Sequence, residues 1–160
     1  MTLAYGRAPS GERVVEHRPS IRTAKTSLVA AMTIRGVLSI GMVAGSFNAA
    51  RFLEWLVRDL LPLLPRGSVL IWDNVKFHFN PYVLAAVAAA GCLLLKMPPY
   101  SPDLNPIEEC WSKLKHFIRA AKARTQDELD AAISDAEYLL NTSDFVGWIR
   151  HAGYPVGAST

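Results

Sequence analysis

Cysteine is scarce in this chain: Cys92 and Cys110 are the only two in 160 residues, and they form no CxxC pair. That spacing supports neither a disulfide framework nor a zinc ribbon, and it favours a reduced, cytoplasmic setting. Long hydrophobic runs are missing as well. No charge occurs between Lys76 and Lys96, but His78, Asn80-Pro81 and Gly91 interrupt the stretch. Its apolar part, Tyr82 to Leu95, is 14 residues, short of the roughly 18 that a membrane span needs. No apolar segment follows the first charges, so the N-terminus does not read as a signal peptide. No internal repeat is present, which excludes a solenoid. With 51% hydrophobic and 19% charged residues, the chain is also not of a disordered composition. At this length a single domain can bury about 70% of its unfolded surface without staples.

Charge of one sign is absent from whole stretches. Residues 110–125 contain Lys113, Lys115, Arg119, Lys122 and Arg124 and no acid, whereas residues 126–144 contain six acids and no base. The first 25 residues hold Arg7, Arg13, Arg18, Arg22 and Lys25 against Glu12 and Glu16. Two basic segments around a near-neutral body suggest a surface for a polyanion, the alternative being a solvated helix face.

The remaining pattern alternates strands and helices. After a segment with weak strand character at Arg13–Glu16, two apolar runs, Thr26–Ile34 and Val37–Val43, flank the turn signal Arg35-Gly36 and predict a hairpin. Asn48 caps a helix with Leu53, Leu56, Val57, Leu60 and Leu64 on one stripe, to be ended by Pro62 near Leu61. Ser68–Trp72 reads as a strand buried on both faces that delivers Asp73 at its C-terminal end. Asn80-Pro81 opens a second helix and Gly91 closes it; Cys92–Met97 is a further buried strand. A proline-rich loop follows, then a helix from Asn105-Pro106 carrying Trp111, Leu114 and Ile118, and a last helix over about Gln126–Leu140. An initial hairpin followed by alternating elements predicts an α/β fold, a mixed sheet with helices on both faces. Sites in such sheets lie at the C-terminal ends of parallel strands, where Asp73 falls. Trp55, Trp72, Trp111 and Trp148 read as core, and both cysteines as small buried hydrophobes.

Asp73 alone is equally readable as a ligand for a hard cation such as Mg²⁺ or as a cap for the loop after its strand. Glu108 has a bland reading too, since Asn105-x-x-Glu108 fits a capping box, and Glu109 is its rival for any chemical role. The surrounding string decides between them. Asp73-Asn74-x-x-x-His78, then Pro98-Pro99-Tyr100-Ser101-Pro102-Asp103-Leu104-Asn105-Pro106-Ile107-Glu108 and Trp111-Ser112-x-x-Lys115, resembles a DDE transposase. The resemblance is to the bacterial insertion-sequence branch of the mariner superfamily. It runs from Tyr5-Gly6-Arg7 to Gly153-Tyr154, nearly the whole chain.

The resemblance implies a ribonuclease-H-like domain in which three carboxylates hold two Mg²⁺ or Mn²⁺ ions for DNA cleavage and strand transfer. In that family 34 residues separate the second and third acids, as they separate Asp73 from Glu108; the match selects Glu108 over Glu109 as catalytic and metal-binding residue. It places the first acid on a strand upstream of the hairpin, where this chain has only Glu12 and Glu16. The expectation is therefore a partial catalytic domain over residues 1–154, lacking its first strand and first acid, with a tail at 155–160. DNA is the expected partner, through Lys113, Lys115, Arg119, Lys122, His78, Arg7 and Arg13. A homodimer, or an N-terminal segment of the parent, is the other expected partner. An unpaired edge at Thr26–Ile34 with a hydrophobic groove is expected to favour self-association. The rival readings are a non-catalytic DNA-binding or oligomerising remnant, and an α/β domain in which Asp73 and Glu108 only cap.

Overall fold

The hairpin is built as its sequence suggests. In the computed structural model, which describes residues 26–123 and 125–156, β1 (Thr26–Thr33) pairs antiparallel with β2 (Gly36–Ala44). Gly36 opens β2 at φ 149°, a conformation suited to glycine. The ladder skips Leu38: Ala31 faces Ser39 and Met32 faces Val37. That extra residue is a bulge. It turns Leu38 to one face of the hairpin while Val37 and Ile40 share the other.

Helices cover both faces of the hairpin. On one side lies α1 (Ala49–Trp55), whose Phe52 and Trp55 are buried. Asn48 caps it as expected, accepting from Arg51 N at 3.0 Å. Pro62 has no N–H to give to the carbonyl four residues back, and the chain leaves α1 through a wide π turn (Leu56–Leu60) and a 3-10 turn (Leu61–Leu63). Leu56 and Leu60 are buried in these turns with Phe52 and Trp55. α2 (Pro81–Ala89), capped by Asn80 and closed by Gly91 at φ 72°, adds Val83 and Val87 to the same core.

Close approach of α1 to the hairpin requires glycine at position 41. A Cβ there would lie 2.5 Å from Trp55 Cδ1 and 2.9 Å from Val29 Cγ1. Gly41→Ala is therefore expected to cost about 1–3 kcal/mol through overpacking, read as a lower urea midpoint. It should also disturb the Trp55 Nε1–Ser39 Oγ hydrogen bond of 3.0 Å.

A second core lies on the other face, where α3 (Pro106–Ala121), α4 (Gln126–Tyr138) and α5 (Thr142–His151) pack against Leu28, Met32, Ile40 and Met42. Cys110, Leu114, Ile133 and Phe145 are buried there. Both cysteines are free thiols, and burial, with Asp144 and Glu137 adding to it, pushes Cys110 up to about 11. Helix α5 is an element that the hydrophobic pattern alone does not predict. Its signal is nonetheless present: Asn141 and Asp144 form a capping box, with Asp144 N donating to Asn141 Oδ1 and Asn141 N donating to Asp144 Oδ2.

Asp144 also accepts from Lys113 Nζ at 2.6 Å, joining α5 to α3. The Asn141 N–H first, then Lys113, hold its carboxyl below the usual range. A carboxyl depressed by folding stabilises above its unfolded value of about 3.9 and loses that contribution as pH falls through the folded value. Stability should therefore drop below about pH 4, and Asp144→Asn should flatten that part of a urea-midpoint profile measured from about pH 6 to about pH 3.

Strands β3 (Val69–Trp72) and β4 (Leu93–Lys96) pair in parallel, Trp72 beside Lys96. They form a two-stranded sheet separate from the hairpin. Among the described residues no strand joins the two, so the mixed sheet is present in two pieces. β3 and β4 are also not buried on both faces. Leu70 and Trp72 face the α1–α2 core, whereas Val69, Ile71, Leu93 and Leu95 are exposed, Val69 at 54% and Leu93 at 61%. Apolar runs match a strand covered twice, but here α1 and α2 cover one face and no described element covers the other. The weak strand expected at Arg13–Glu16, together with Glu12, Arg7, Arg18, Arg22, Lys25 and Arg124, lies outside the described residues. No described helix is long and apolar enough to cross a membrane.

Candidate active site

The C-terminal ends of β3 and β4 form one rim. Met97 N donates to Trp72 O at 3.2 Å, and Asn74 Nδ2 donates to Met97 O at 2.9 Å. These bonds tie the loop after β3 to the loop after β4. Asp73 lies on this rim with its side chain 47% exposed. Its Oδ1 accepts from Val75 N at 3.1 Å, so the loop-capping role is real. The cap occupies one carboxylate oxygen and leaves Oδ2 without a hydrogen bond among the described residues.

His78, on the 3-10 turn Lys76–Phe79, brings Nδ1 to 2.9 Å from the same Oδ1. Nδ1 makes a close polar contact there, and it is buried with no other hydrogen-bond partner among the described residues. The ring sits among Phe52, Phe77 and Trp72, at centroid distances of 4.4, 4.7 and 5.4 Å. Burial lowers the His78 pKa, with Asp73 opposing the shift. The structure thus places His78 inside an aromatic cage behind Asp73, not on the open surface.

Glu108 occupies the first turn of α3 and is exposed. The expected capping box does not form: Asn105 is the N-cap but makes no side-chain cap bond. The Asn105 peptide still receives Glu108 N, at 3.0 Å. With its capping role gone and no ion pair among the described residues, the Glu108 carboxylate is left to solvent. Glu109 is exposed beside it.

The cations of α3 divide. Lys113 is committed to Asp144. Lys115 and Arg119 follow Glu108 by 7 and 11 residues, which puts all three on one helical stripe, about 10 and 16 Å along the axis from Glu108. Neither cation is held in an ion pair among the described residues. Lys122 ends the helix in a left-handed conformation, φ 51°. A cation that the motif string does not include, Lys96, also lies on the rim, with Nζ 4.7 Å from the Phe79 ring centroid. Its signal in the sequence is its isolation, as the one charge in an otherwise apolar strand.

As donors, two carboxylates with free oxygens suit a hard divalent cation. In number they fall short, because the described residues contain no group of three His, Cys, Asp or Glu able to hold a metal ion.

The profile of the family described as DDE superfamily endonuclease matches residues 1–130. The chain belongs to the DDE superfamily endonucleases. The Tc1 transposable-element transposase of Caenorhabditis elegans is 36% identical over 62 residues, covering 39% of this chain and 23% of that protein. The Tcb1 transposase of Caenorhabditis briggsae is 32% identical over 73 residues, covering 46% and 27%. The matched segments thus span about a quarter of these curated relatives.

Among solved structures, this DDE-family chain superposes on the Mos1 strand transfer complex with a TM-score of 0.77 at 18% identity, over 95% of this chain and 47% of that one. The catalytic domain of Mos1 mariner transposase gives 0.68 at 18% identity, over 81% and 68%. The fold is therefore the ribonuclease-H-like α/β fold of that catalytic domain, as expected from the sequence.

Proposed function

We propose that this chain is the catalytic-domain part of a transposase of the bacterial insertion-sequence branch, acting on DNA in metal-dependent cleavage and strand transfer. The observation that carries the reading is the pair of acids in a DDE-family chain. Asp73 keeps one oxygen free at a strand end, and Glu108, with 34 residues between them, has lost its capping explanation. Mg²⁺ or Mn²⁺ would be held by Asp73 and Glu108 together with a third acid from outside the described residues. Such an ion supplies charge stabilisation and an activated oxygen nucleophile. The chain's own contribution is positional. β3 fixes Asp73, the Val75 N–H holds one of its oxygens with His78 packed against it, and the first turn of α3 presents Glu108. Solved relatives include the Mos1 catalytic domain with Mg and with Mn, which supports the choice of ion.

With two of the acids among the described residues and no group of three there, the chain alone is expected to bind Mn²⁺ weakly and to nick element-end DNA little. The check is a Mn²⁺ titration followed by electron paramagnetic resonance, with a nicking assay alongside. Strong nicking by the chain that Asp73→Ala abolishes would overturn the inert part of the reading. Mn²⁺ binding indifferent to both Asp73→Ala and Glu108→Ala would overturn the site itself.

The second reading, a DNA-binding remnant that joins complexes of its parent, is favoured by the cations Lys115 and Arg119, which no described acid pairs. Removing one cation that sits on a phosphate should reduce the slope of log affinity against log salt by about 0.9. Lys115→Ala and Arg119→Ala are expected to do so in a fluorescence-anisotropy salt series, leaving the urea midpoint in place. Lys113→Ala should do the reverse, because its ammonium serves Asp144. Binding that survives loss of both Asp73 and Glu108, in a chain that never nicks DNA, would favour this second reading.

A further inference from the structure

Tyr100 has no structural reason to be a tyrosine. Its side chain is fully exposed, at 102% of the reference area, and its backbone sits at φ 56°. A left-handed conformation is an outlier for a bulky residue, and glycine or asparagine would form this turn at lower cost. The loop around it is held from several sides. Pro98, Pro99 and Pro102 stiffen it, Ser101 Oγ donates to Pro99 O at 3.2 Å, and Leu104 N donates to Ser101 O at 3.2 Å. Tyr154 Oη, from beyond α5, donates to Leu104 O at 3.0 Å. The ring is thus presented to solvent on a braced turn.

Its place in the fold gives that presentation a direction. The loop leaves β4 on the rim that carries Asp73, to which Asn74 and Met97 tie it, and it leads into the helix turn bearing Glu108. Exposed apolar groups gather along the same two loops, Val75 after Asp73 and Leu104 before Glu108. Lys96, held over Phe79, supplies a cation on that rim.

We propose that Tyr100 is a stacking platform for a nucleobase that has left the duplex next to the phosphodiester presented to Asp73 and Glu108. This rests on the reading that the rim receives DNA. An exposed ring offers a π face that any base can meet, and a base offers its own face only when unpaired or rotated out of the stack. Lys96 takes the flanking phosphate. The ligand class is therefore DNA with a frayed, overhanging or flipped base, not intact duplex.

The test uses the whole chain and two oligonucleotide duplexes, one fully paired and one with a short overhang carrying 2-aminopurine. Wild type is expected to bind the overhang more tightly and to quench its fluorescence. Tyr100→Ala should weaken overhang binding about 10- to 100-fold with little change on the paired duplex, while Tyr100→Phe keeps both. Tyr100→Gly separates stacking from folding: it should raise the urea midpoint by relieving the turn, yet lose the overhang as Ala does. Overhang binding unchanged in Tyr100→Ala, or lost equally on both duplexes, would overturn the proposal while duplex binding through Lys115 and Arg119 left the DNA reading standing. A chain that binds neither duplex would sink both.

Discussion

Asp73→Asn is expected to lower metal-dependent DNA cleavage by about 10³-fold or more in a transposase that carries this domain. The magnitude follows from losing a ligand to an ion that contributes several kcal/mol of transition-state charge stabilisation, about 1.36 kcal/mol being tenfold in rate. Asparagine keeps the shape of the carboxylate and can still accept from Val75 N, so the loop and the urea midpoint should be little changed. Only the charge is lost. Glu108→Gln should behave in the same way, since the Glu108 side chain caps nothing. Glu109→Gln is the control and should retain activity. The comparison is a time course of strand nicking on element-end DNA with Mg²⁺ or Mn²⁺. Equal losses at Glu108 and Glu109, or none at Asp73, would contradict the assignment.

Phe52→Ala should be the most damaging of the core substitutions, costing about 3–5 kcal/mol. That is a large share of the roughly 5–15 kcal/mol that holds a typical domain together. Phe52 is 2% exposed, and its ring meets four others: His78 at 4.4 Å, Phe77 at 5.4 Å, Trp55 at 5.6 Å and Trp72 at 5.8 Å. Removing it opens a cavity directly behind the imidazole that contacts Asp73. Urea denaturation followed by tryptophan fluorescence would measure the cost, and Phe52→Leu should recover part of it. A cost below about 1 kcal/mol would mean that the cage repacks around the gap, and His78 would then not be held by Phe52.

Much of this molecule is legible along the chain because its signals are local. Asn48 and Asn80 sit at helix starts and make the cap bonds their sequence context suggests. Gly91 ends α2 in the left-handed conformation that glycine adopts most easily. The hairpin follows from two apolar runs around Arg35-Gly36, and the spacing of Asp73 and Glu108 follows from the motif string. Even α5, which the apolar pattern misses, has a local signal in the Asn141–Asp144 capping box. Local reasoning fails where a plausible short-range partner loses to a different geometry. Asn105 and Glu108 have the spacing of a capping box, but Asn105 makes no side-chain bond to the helix.

What the sequence by itself determined is the order of elements as far as α4 and the family, and it is the source of the proposal that Asp73 and Glu108 are the two acids, since each depends on residues within a few turns or on a fixed interval. The tertiary structure alone decided which of the candidate residues are available. Lys113 is removed from the basic surface by Asp144, 31 residues away, and His78 is drawn into a cage by Phe52 and Trp72. Asn74 joins two loops across 23 residues. The outer face of β3 and β4 is left open because helices cover only one side of that sheet among the described residues, although the apolar run of each strand reads as doubly buried. Such outcomes depend on the packing of distant parts of the chain, and periodicity reports only what each segment could bury, never what arrives to cover it.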